Sequence, residues 1–223
     1  METIQKNREL ILSKINEIHK ASIFSKHKLP RLVAVSKKQE DYKIENALAC
    51  GQKIFGENRV QEAINRWQKR IENNVDLELR LIGPLQTNKV KQSLILFDVI
   101  ETIDREKIAV EIAKNLNLKT KTKSFYIQVN TGNEPQKSGI NPLEADTFVK
   151  HCINDLNLPI VGLMCIPPQN EVPSLHFAFL KKIASSNSLD KLSMGMSNDY
   201  QDAIKFGATS VRIGSLFFGK RKI

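Results

Sequence analysis

The chain has 223 residues with 34 Lys or Arg and 24 Asp or Glu, which gives a formal net charge of +10 at pH 7. Apolar residues make up 41% and charged residues 26%, a composition that excludes a disordered chain, a collagen and a coiled coil. The excess basic charge is spread over 1–30, 104–123 and 220–222 without interleaved aromatic residues. We therefore expect a solvated basic surface and no nucleic-acid partner.

Targeting, membrane and disulfide signals are absent from the sequence. No apolar run approaches the ~18 residues that span a bilayer, and no signal-peptide core follows the N-terminus. The cysteines Cys50, Cys152 and Cys165 are odd in number and lack C-x-x-C spacing, so we expect reduced thiols and neither a disulfide framework nor a zinc site. These signals predict a cytoplasmic protein with no membrane partner and no metal.

The predicted elements alternate between helix and strand from the start of the chain. Residues 2–21 are predicted to form a helix because their apolar residues recur at spacings near 3.6. The short apolar run 32–35 suits a buried parallel strand. The same signals predict, in chain order, helix 40–50, strand 53–55, helix 58–72, strand 79–82, helix 87–96 and strand 99–103.

The second half of the chain continues this alternation. Helix 142–155 is opened by Asn141-Pro142, a capping residue followed by proline in the first turn. The elements predicted around it are helix 105–117, strand 124–129, strand 160–166, helix 172–185, strand 191–194, helix 198–206, strand 210–213 and a short closing helix.

This order of elements indicates the fold class. Eight strands alternating with helices predict an α/β protein whose parallel sheet closes into a (β/α)8 TIM barrel with an extra N-terminal helix. A doubly wound open sheet is the alternative. Because the sequence contains no Pro/Gly/Ser-rich linker, residues 1–223 are predicted to form a single domain.

Functional residues in such a barrel collect at the carboxyl ends of the strands. The seventh and eighth predicted strands each lead through a Gly and a Ser, Ser197 and Ser215, to the start of a helix. Unpaired backbone N–H groups at such a position can bind an anion, so these loops are candidates for a phosphate site. Ordinary helix capping by Ser, with Gly serving tight turns, is the alternative interpretation.

Lys37 directly follows the first predicted strand. A lysine at a barrel mouth is partly desolvated, and nearby cations such as Lys38 or Arg212 would also disfavour its charged form. A neutral amine is what Schiff-base formation with an aldehyde requires. Alternatively, Lys37 and Lys38 are both exposed loop charges; because successive side chains alternate faces, one of the pair points elsewhere in either case.

A set of motifs in chain order carries a family resemblance. They are VAVSK (33–37), FGEN (55–58), IGPLQTNK (82–89), EPQKSGI (134–140), GLM (162–164), LSMGMS (192–197) and VRIG (211–214). Together, over residues 32–219, they resemble the YggS/PROSC family of pyridoxal phosphate (PLP) homeostasis proteins.

The resemblance implies a fold like the N-terminal barrel of alanine racemase, with PLP held as an aldimine on Lys37. It implies that the loops after the last two strands hold the phosphate and that Arg212 lies near the pyridine nitrogen, where an arginine disfavours a protonated ring. Lys137 matches a second family lysine, a transient acceptor during PLP transfer. The cofactor-binding residues implied are Lys37, Asn58, Met196, Ser197, Arg212, Gly214 and Ser215, with no catalytic residue and no metal ligand.

The sequence departs from the family pattern at several positions. Arg59 stands where tyrosine is usual, Arg80 where histidine is common and Cys165 where threonine is common. Lys38-Gln39 replaces a Thr-containing continuation after the motif lysine. These positions are expected at the flanks of the pocket, where they affect fine selectivity and leave PLP binding intact.

The function implied by the resemblance is non-catalytic PLP binding that maintains intracellular PLP homeostasis and affects amino-acid and keto-acid balance. PLP-dependent apo-enzymes are the expected recipients, and a monomer is expected. The length leaves no room for the second domain that supplies an opposing tyrosine base in alanine racemase. The alternatives are a weak PLP-dependent racemase or lyase, with Tyr126 or Tyr200 as the base, and an anion-binding or nucleic-acid-binding protein attracted by the +10 charge.

Overall fold

The computed structural model describes residues 2–73, 76–117 and 119–219. Within these ranges eight parallel strands each pair with the next, and the last pairs with the first to close a barrel. The strands are β1 (Arg31–Val35), β2 (Ile54–Glu57), β3 (Glu78–Leu81), β4 (Val99–Ile103), β5 (Ser124–Gln128), β6 (Ile160–Met164), β7 (Lys191–Ser193) and β8 (Ser210–Ile213). The predicted (β/α)8 TIM barrel is confirmed, and the open-sheet alternative is wrong.

Helices alternate with these strands along the described chain. They are α1 (Glu2–Ala21), α2 (Asp41–Ala49), α3 (Val60–Glu72), α4 (Val90–Leu96), α5 (Glu106–Asn115), α6 (Ala145–Lys150), α7 (Pro173–Ser186), α8 (Tyr200–Lys205) and α9 (Ser215–Phe218). A 3-10 turn, Thr87–Lys89, precedes α4, and a π-helical turn, His151–Asp155, follows α6.

Among the helices that begin later than the sequence predicts, α6 and α8 do so where a polar side chain caps the preceding turn. Ahead of α6, the Leu143 N–H donates to Asn141 Oδ1 (2.9 Å), which closes an Asx turn. Ahead of α8, the Met196 N–H donates to Asp199 Oδ1 (2.5 Å). Short polar side chains compete with the helix for backbone groups in this way, so the first predicted turn of each helix is lost.

The N-terminal helix α1 covers the seam where the barrel closes. The helix after β8, α9, has only four residues, which at 1.5 Å per residue extend about 6 Å. α1 packs against α8, α9 and α2, and Asn7 Nδ2 donates to the Phe217 carbonyl (3.1 Å). The extra helix predicted from the sequence therefore completes the outer ring of helices where α9 is too short to do so.

Buried side chains of the strands form two layers, because successive residues of a strand face opposite sides of the sheet. The outer layer, here called the apolar shell, consists of strand residues packed on helix residues, among them Leu32, Phe55, Trp67, Ile100, Phe125 and Val211. The other layer, here called the barrel interior, includes Glu78, Arg80, Glu101, Tyr126, Ser193, Ser210 and Arg212. Its position follows from contacts between strands that are not neighbours, such as Ser193 Oγ of β7 donating to Glu101 Oε2 of β4 (2.5 Å).

Three further sequence predictions concern features outside the barrel layers. No helix in the described part of the chain combines the length and the apolar character needed to cross a membrane. Cys50, Cys152 and Cys165 are free thiols. The basic segment 220–222, predicted to be part of a solvated surface, lies outside the described residues.

Candidate functional site

The predicted site residues follow four strands that are consecutive in the closed barrel. The order β7-β8-β1-β2 places the carboxyl ends of these strands side by side, since Ala34 of β1 pairs with Ile213 of β8. We call this edge the candidate rim; its predicted site residues are Lys37 after β1, Asn58 after β2, Met196 and Ser197 after β7, and Arg212, Gly214 and Ser215 in or after β8. Closure of the barrel thus brings the residues after the first two strands next to those after the last two.

Lys37 lies in a tight turn directly after β1. The Gln39 N–H donates to the Ser36 carbonyl (3.1 Å), and Lys38 adopts a φ of 57°, in the left-handed region. Lys37 is half-buried, whereas Lys38 is exposed. The turn therefore gives the two adjacent amines different surroundings.

A clamp from β2 and α3 holds this turn. Arg66 Nη1 donates to the Ser36 carbonyl and Arg66 Nη2 to the Gln39 carbonyl, each at 3.0 Å. The buried Glu57 carboxylate accepts hydrogen bonds from Ser36 Oγ (2.6 Å), Trp67 Nε1 (3.0 Å) and Arg66 Nη1 (3.2 Å). Sequence reasoning did not identify this clamp, because nothing in the helical pattern of α3 indicates that Arg66 reaches the loop after β1.

The loops after β7 and β8 present backbone donors at the same rim. Gly195 has a φ of 90°, and a Cβ there would come 2.6 Å from the Ala203 Cβ, so this turn requires glycine. Within the described residues, the N–H groups of Ser197, Gly214 and Ser215 make no hydrogen bond to another residue. Unpaired N–H groups of this kind can bind an anion.

Arg212 is buried beneath these loops, with 3% of its surface exposed. Its Nη1 donates to Ser193 Oγ (2.7 Å) and its Nη2 to the Cys165 carbonyl (2.8 Å). Both acceptors are uncharged. Within the described ranges they use two of the five guanidinium N–H groups, which leaves three to donate to a further partner.

Arg80 lies in the barrel interior and not at the pocket flank where the sequence placed it. Its Nη1 donates to Glu101 Oε1 (2.8 Å) and its Nε to Glu78 Oε1 (2.6 Å). The prediction that Arg80 lies at the flank of the pocket is wrong. Successive side chains of a strand point to opposite faces of the sheet, and that of residue 80 points inward, where two carboxylates neutralise the guanidinium.

Two of the other departures from the family pattern lie on different sides of the site. Arg59 is exposed and pairs with Glu62 one helical turn away (3.0 Å). Cys165 is fully buried, and burial raises the pKa of its thiol to about 12 although the nearby Arg212 charge acts in the opposite direction. The Cys165 thiol is therefore protonated at neutral pH.

Lys137 is not part of the candidate rim. It follows β5, which lies opposite β1 in the ring of eight strands. Its Nζ pairs with Glu134 Oε2 (2.5 Å) and donates to the Pro167 carbonyl (3.4 Å), beside a cavity of about 390 Å³ between the loops after β5 and β6. The structure therefore places Lys137 and Lys37 on opposite sides of the mouth.

Comparison with known proteins gives this arrangement its context. The family model of the alanine racemase N-terminal domain matches residues 18–222. The pyridoxal phosphate homeostasis protein of Haemophilus influenzae is 38% identical over 228 residues, covering 98% of this chain and 96% of the relative. The chain belongs to the pyridoxal phosphate homeostasis protein family. The resemblance predicted from the sequence motifs is thus confirmed.

Solved structures agree with this family assignment. PipY of Synechococcus elongatus PCC7942, in a structure with PLP bound, is 32% identical with a TM-score of 0.76, covering 92% of this chain and 100% of that chain. Alanine racemase from Bartonella henselae has a TM-score of 0.72 at 16% identity, covering 100% of this chain and 61% of that chain. The second likeness shows the fold alone, and it confirms the predicted alanine-racemase-like barrel.

Proposed function

We propose that this protein binds PLP reversibly at the candidate rim and maintains intracellular PLP homeostasis without catalysing a reaction of its own. The observation that carries the proposal is the PLP-bound structure of PipY, a protein 32% identical to this chain and matched over its full length. The name of the Haemophilus influenzae relative, pyridoxal phosphate homeostasis protein, supports the same role.

The donor set at the rim fits PLP, which carries an aldehyde, a phosphate and a pyridine nitrogen and supplies an electrophilic carbon when bound. The amine of Lys37, a half-buried residue, suits the aldehyde. The unpaired N–H groups of Ser197, Gly214 and Ser215, together with the hydroxyls of the two serines, suit the phosphate. The buried guanidinium of Arg212 suits the ring nitrogen. Asn58 and Met196 complete the proposed binding set.

Each of these groups has a distinct part in the proposed binding. Lys37 Nζ attacks the aldehyde carbon and the aldehyde oxygen leaves as water, so the ligand is held covalently and hydrolysis releases it. The Arg212 guanidinium has only hydrogen-bond donors and donates to the ring nitrogen, which therefore stays unprotonated. Such a ring withdraws electrons weakly, a property that suits a carrier better than a catalyst.

The cellular part of the proposal follows from reversible binding. A carrier that keeps the free aldehyde scarce can deliver PLP to PLP-dependent apo-enzymes and so affect amino-acid and keto-acid balance. We propose that the chain acts as a monomer and a single domain of residues 1–223 in the cytoplasm, without a nucleic-acid partner. Lys137, across the mouth, is the proposed transient acceptor during transfer.

Borohydride reduction tests the role of Lys37 against a matched control. Wild-type protein loaded with PLP and then reduced should gain a permanent mass increase of one phosphopyridoxyl group. Lys37→Ala should lose that increase, while Lys38→Ala, which removes the exposed neighbour, should keep it. The assignment is overturned if Lys38→Ala alone loses the adduct, and the proposed function fails if wild-type protein offered PLP gains neither colour nor mass.

An assay with D- and L-amino acids tests the racemase or lyase alternative. Tyr126 and Tyr200 are both buried, and burial raises the pKa of each phenol, so neither is an accessible base at neutral pH. We expect no turnover from PLP-loaded protein. Turnover above ~1 s⁻¹, within the usual range of enzymes, would contradict a carrier role.

A further inference from the structure

A continuous row of polar side chains runs through the barrel interior, from Arg212 beneath the rim to Arg31 at the start of β1. Its contacts are Arg212 Nη1 to Ser193 Oγ (2.7 Å), Ser193 Oγ to Glu101 Oε2 (2.5 Å), Arg80 Nη1 to Glu101 Oε1 (2.8 Å), Arg80 Nε to Glu78 Oε1 (2.6 Å) and Arg31 Nη2 to Glu78 Oε2 (2.7 Å). Positive and negative groups alternate along this row. Its middle members are almost fully excluded from solvent.

The Ser193 hydroxyl can donate its hydrogen to only one of its two neighbours in this row. A serine hydroxyl carries a single hydrogen, and an ionised carboxylate can only accept. Ser193 therefore donates that hydrogen to Glu101, which leaves its oxygen lone pairs to accept from Arg212. The charge of Glu101 thus determines that the Ser193 oxygen faces Arg212 as an acceptor.

The charges that enforce this direction are stable in the interior. Burial alone would lower the pKa of Arg80, but the carboxylates of Glu101 and Glu78 more than reverse this and raise it above its usual value. Arg80 is therefore a permanent cation, and its Nη1 lies 2.8 Å from Glu101 Oε1. This contact holds the Glu101 carboxylate in place beside Ser193.

The Ser193 contact matters because arginine side chains have many rotamers, and fixing one of them has an entropic cost of up to about 2 kcal/mol. Two hydrogen bonds hold the guanidinium of Arg212, one to the Cys165 carbonyl and one to Ser193. The carbonyl is part of the backbone directly after β6, whereas the hydroxyl can rotate. Glu101 removes that rotation, so both acceptors are fixed before any ligand arrives.

We propose that Glu101 and Ser193 are positioning residues that hold the Arg212 guanidinium in the orientation that meets the pyridine nitrogen of PLP. The inference rests on the proposed function, because it assigns a role toward the same ligand. Glu101 is 0% exposed and is separated from Arg212 by Ser193, so it acts through the intervening hydroxyl and not by contact with PLP.

Two interior serines provide a matched experiment. Ser193→Ala removes one of the two acceptors of Arg212. Ser210→Ala removes another buried hydroxyl, one that accepts from Arg80 Nη1 (3.4 Å) and has no hydrogen bond to Arg212 in the described part of the chain. Ser193→Ala should raise the PLP dissociation constant about tenfold, as expected for loss of a hydrogen bond to a charged group. It should also shift the visible absorption maximum of the PLP-loaded protein. Ser210→Ala should do neither.

A second variant keeps the inference testable if Ser193→Ala does not fold. Glu101→Gln frees the Ser193 hydrogen, so it should weaken PLP binding and move the absorption maximum in the same way. The inference is overturned if either folded variant behaves like Ser210→Ala, or if both variants unfold while Ser210→Ala does not, which would assign a purely structural role. Wild-type protein that takes up no PLP overturns the proposed function and this inference together.

Discussion

Strand β4 contains two adjacent residues with opposite surroundings. Ile100 packs in the apolar shell, whereas Glu101 pairs with Arg80 and Ser193 in the barrel interior, and both residues are 0% exposed. The shell is stabilised by removing apolar surface from water, an effect that needs no particular orientation. Buried ion pairs add little net stability, but their hydrogen bonds fix directions. The shell therefore stabilises the barrel, and the interior orients Arg212.

Among the variants that test this comparison, Arg80→Ala should cause the largest loss of unfolding free energy. Removing the guanidinium leaves Glu101 buried without its cation, and breaking a buried ion pair costs about 3–5 kcal/mol of unfolding free energy. The exposed pair of Arg59 with Glu62 provides the control, since Arg59→Ala should cost at most about 1 kcal/mol. Urea unfolding measures both variants. Equal losses in the two would show that the interior charges are solvated.

Replacing the interior pair with apolar residues would make the interior resemble the shell. Because both desolvation penalties disappear, Arg80→Met combined with Glu101→Leu should leave the unfolding free energy unchanged or raise it by up to about 4 kcal/mol. PLP binding should nevertheless weaken as in Ser193→Ala, because Ser193 loses its carboxylate. Urea unfolding and a PLP titration separate the two effects. A double variant that is as unstable as Arg80→Ala would contradict the explanation.

Alkaline pH should weaken the interior through Tyr126. Burial and the negative charge of Glu101 raise the pKa of Tyr126 from 10.0 to about 12. As the pH rises, Tyr126 therefore loses its proton in the unfolded chain before it does so in the folded protein. The contribution of Tyr126 to the unfolding free energy is complete below pH 10 and is lost as the pH rises to about 12. Two pKa units correspond to roughly 2–3 kcal/mol. Denaturant unfolding across this range should show that Tyr126→Phe removes this part of the pH dependence.

The smallest expected effect belongs to the shell. Ile100→Val removes one buried methylene-sized group and should cost about 0.5–1.5 kcal/mol. Because Ile100 faces the helices and not the row leading to Arg212, the PLP dissociation constant should stay at its wild-type value. A titration that showed weaker binding would mean that the two layers are mechanically coupled.

The strands and their order could be predicted because the buried residues of the shell appear in the sequence as short apolar runs. The run 99–103 was predicted with the bounds that β4 has. Its internal irregularity was not predicted: Ile100 and Ile103 both belong to the shell although they are three residues apart. A register shift in the pairing of β4 with β5 accounts for this spacing. The alternation of side chains along a single strand contains no information about how that strand pairs with its neighbour.

The residues at the rim were accessible to sequence reasoning, but the residues that hold them were not. Lys37 and Ser215 follow apolar runs, and strand ends are where barrels place their function. Glu101 and Ser193 are 92 residues apart, and only closure of the barrel makes them neighbours. Polar residues inside predicted strands, such as Glu101, were the available signal, because a buried charge requires a partner.

Pairing of β8 with β1 has a consequence for the order of events in folding. Residues 210–215 lie beside Lys37 at the proposed pocket, although β1 and β8 are the first and last strands of the described barrel. The proposed pocket is therefore incomplete until β8 pairs with β1, and a variant that lacks residues 210–215 should not form it. A vitamin bound there can stabilise only molecules whose barrel has closed, so its supply should affect how long the folded protein persists and not the early steps of its folding.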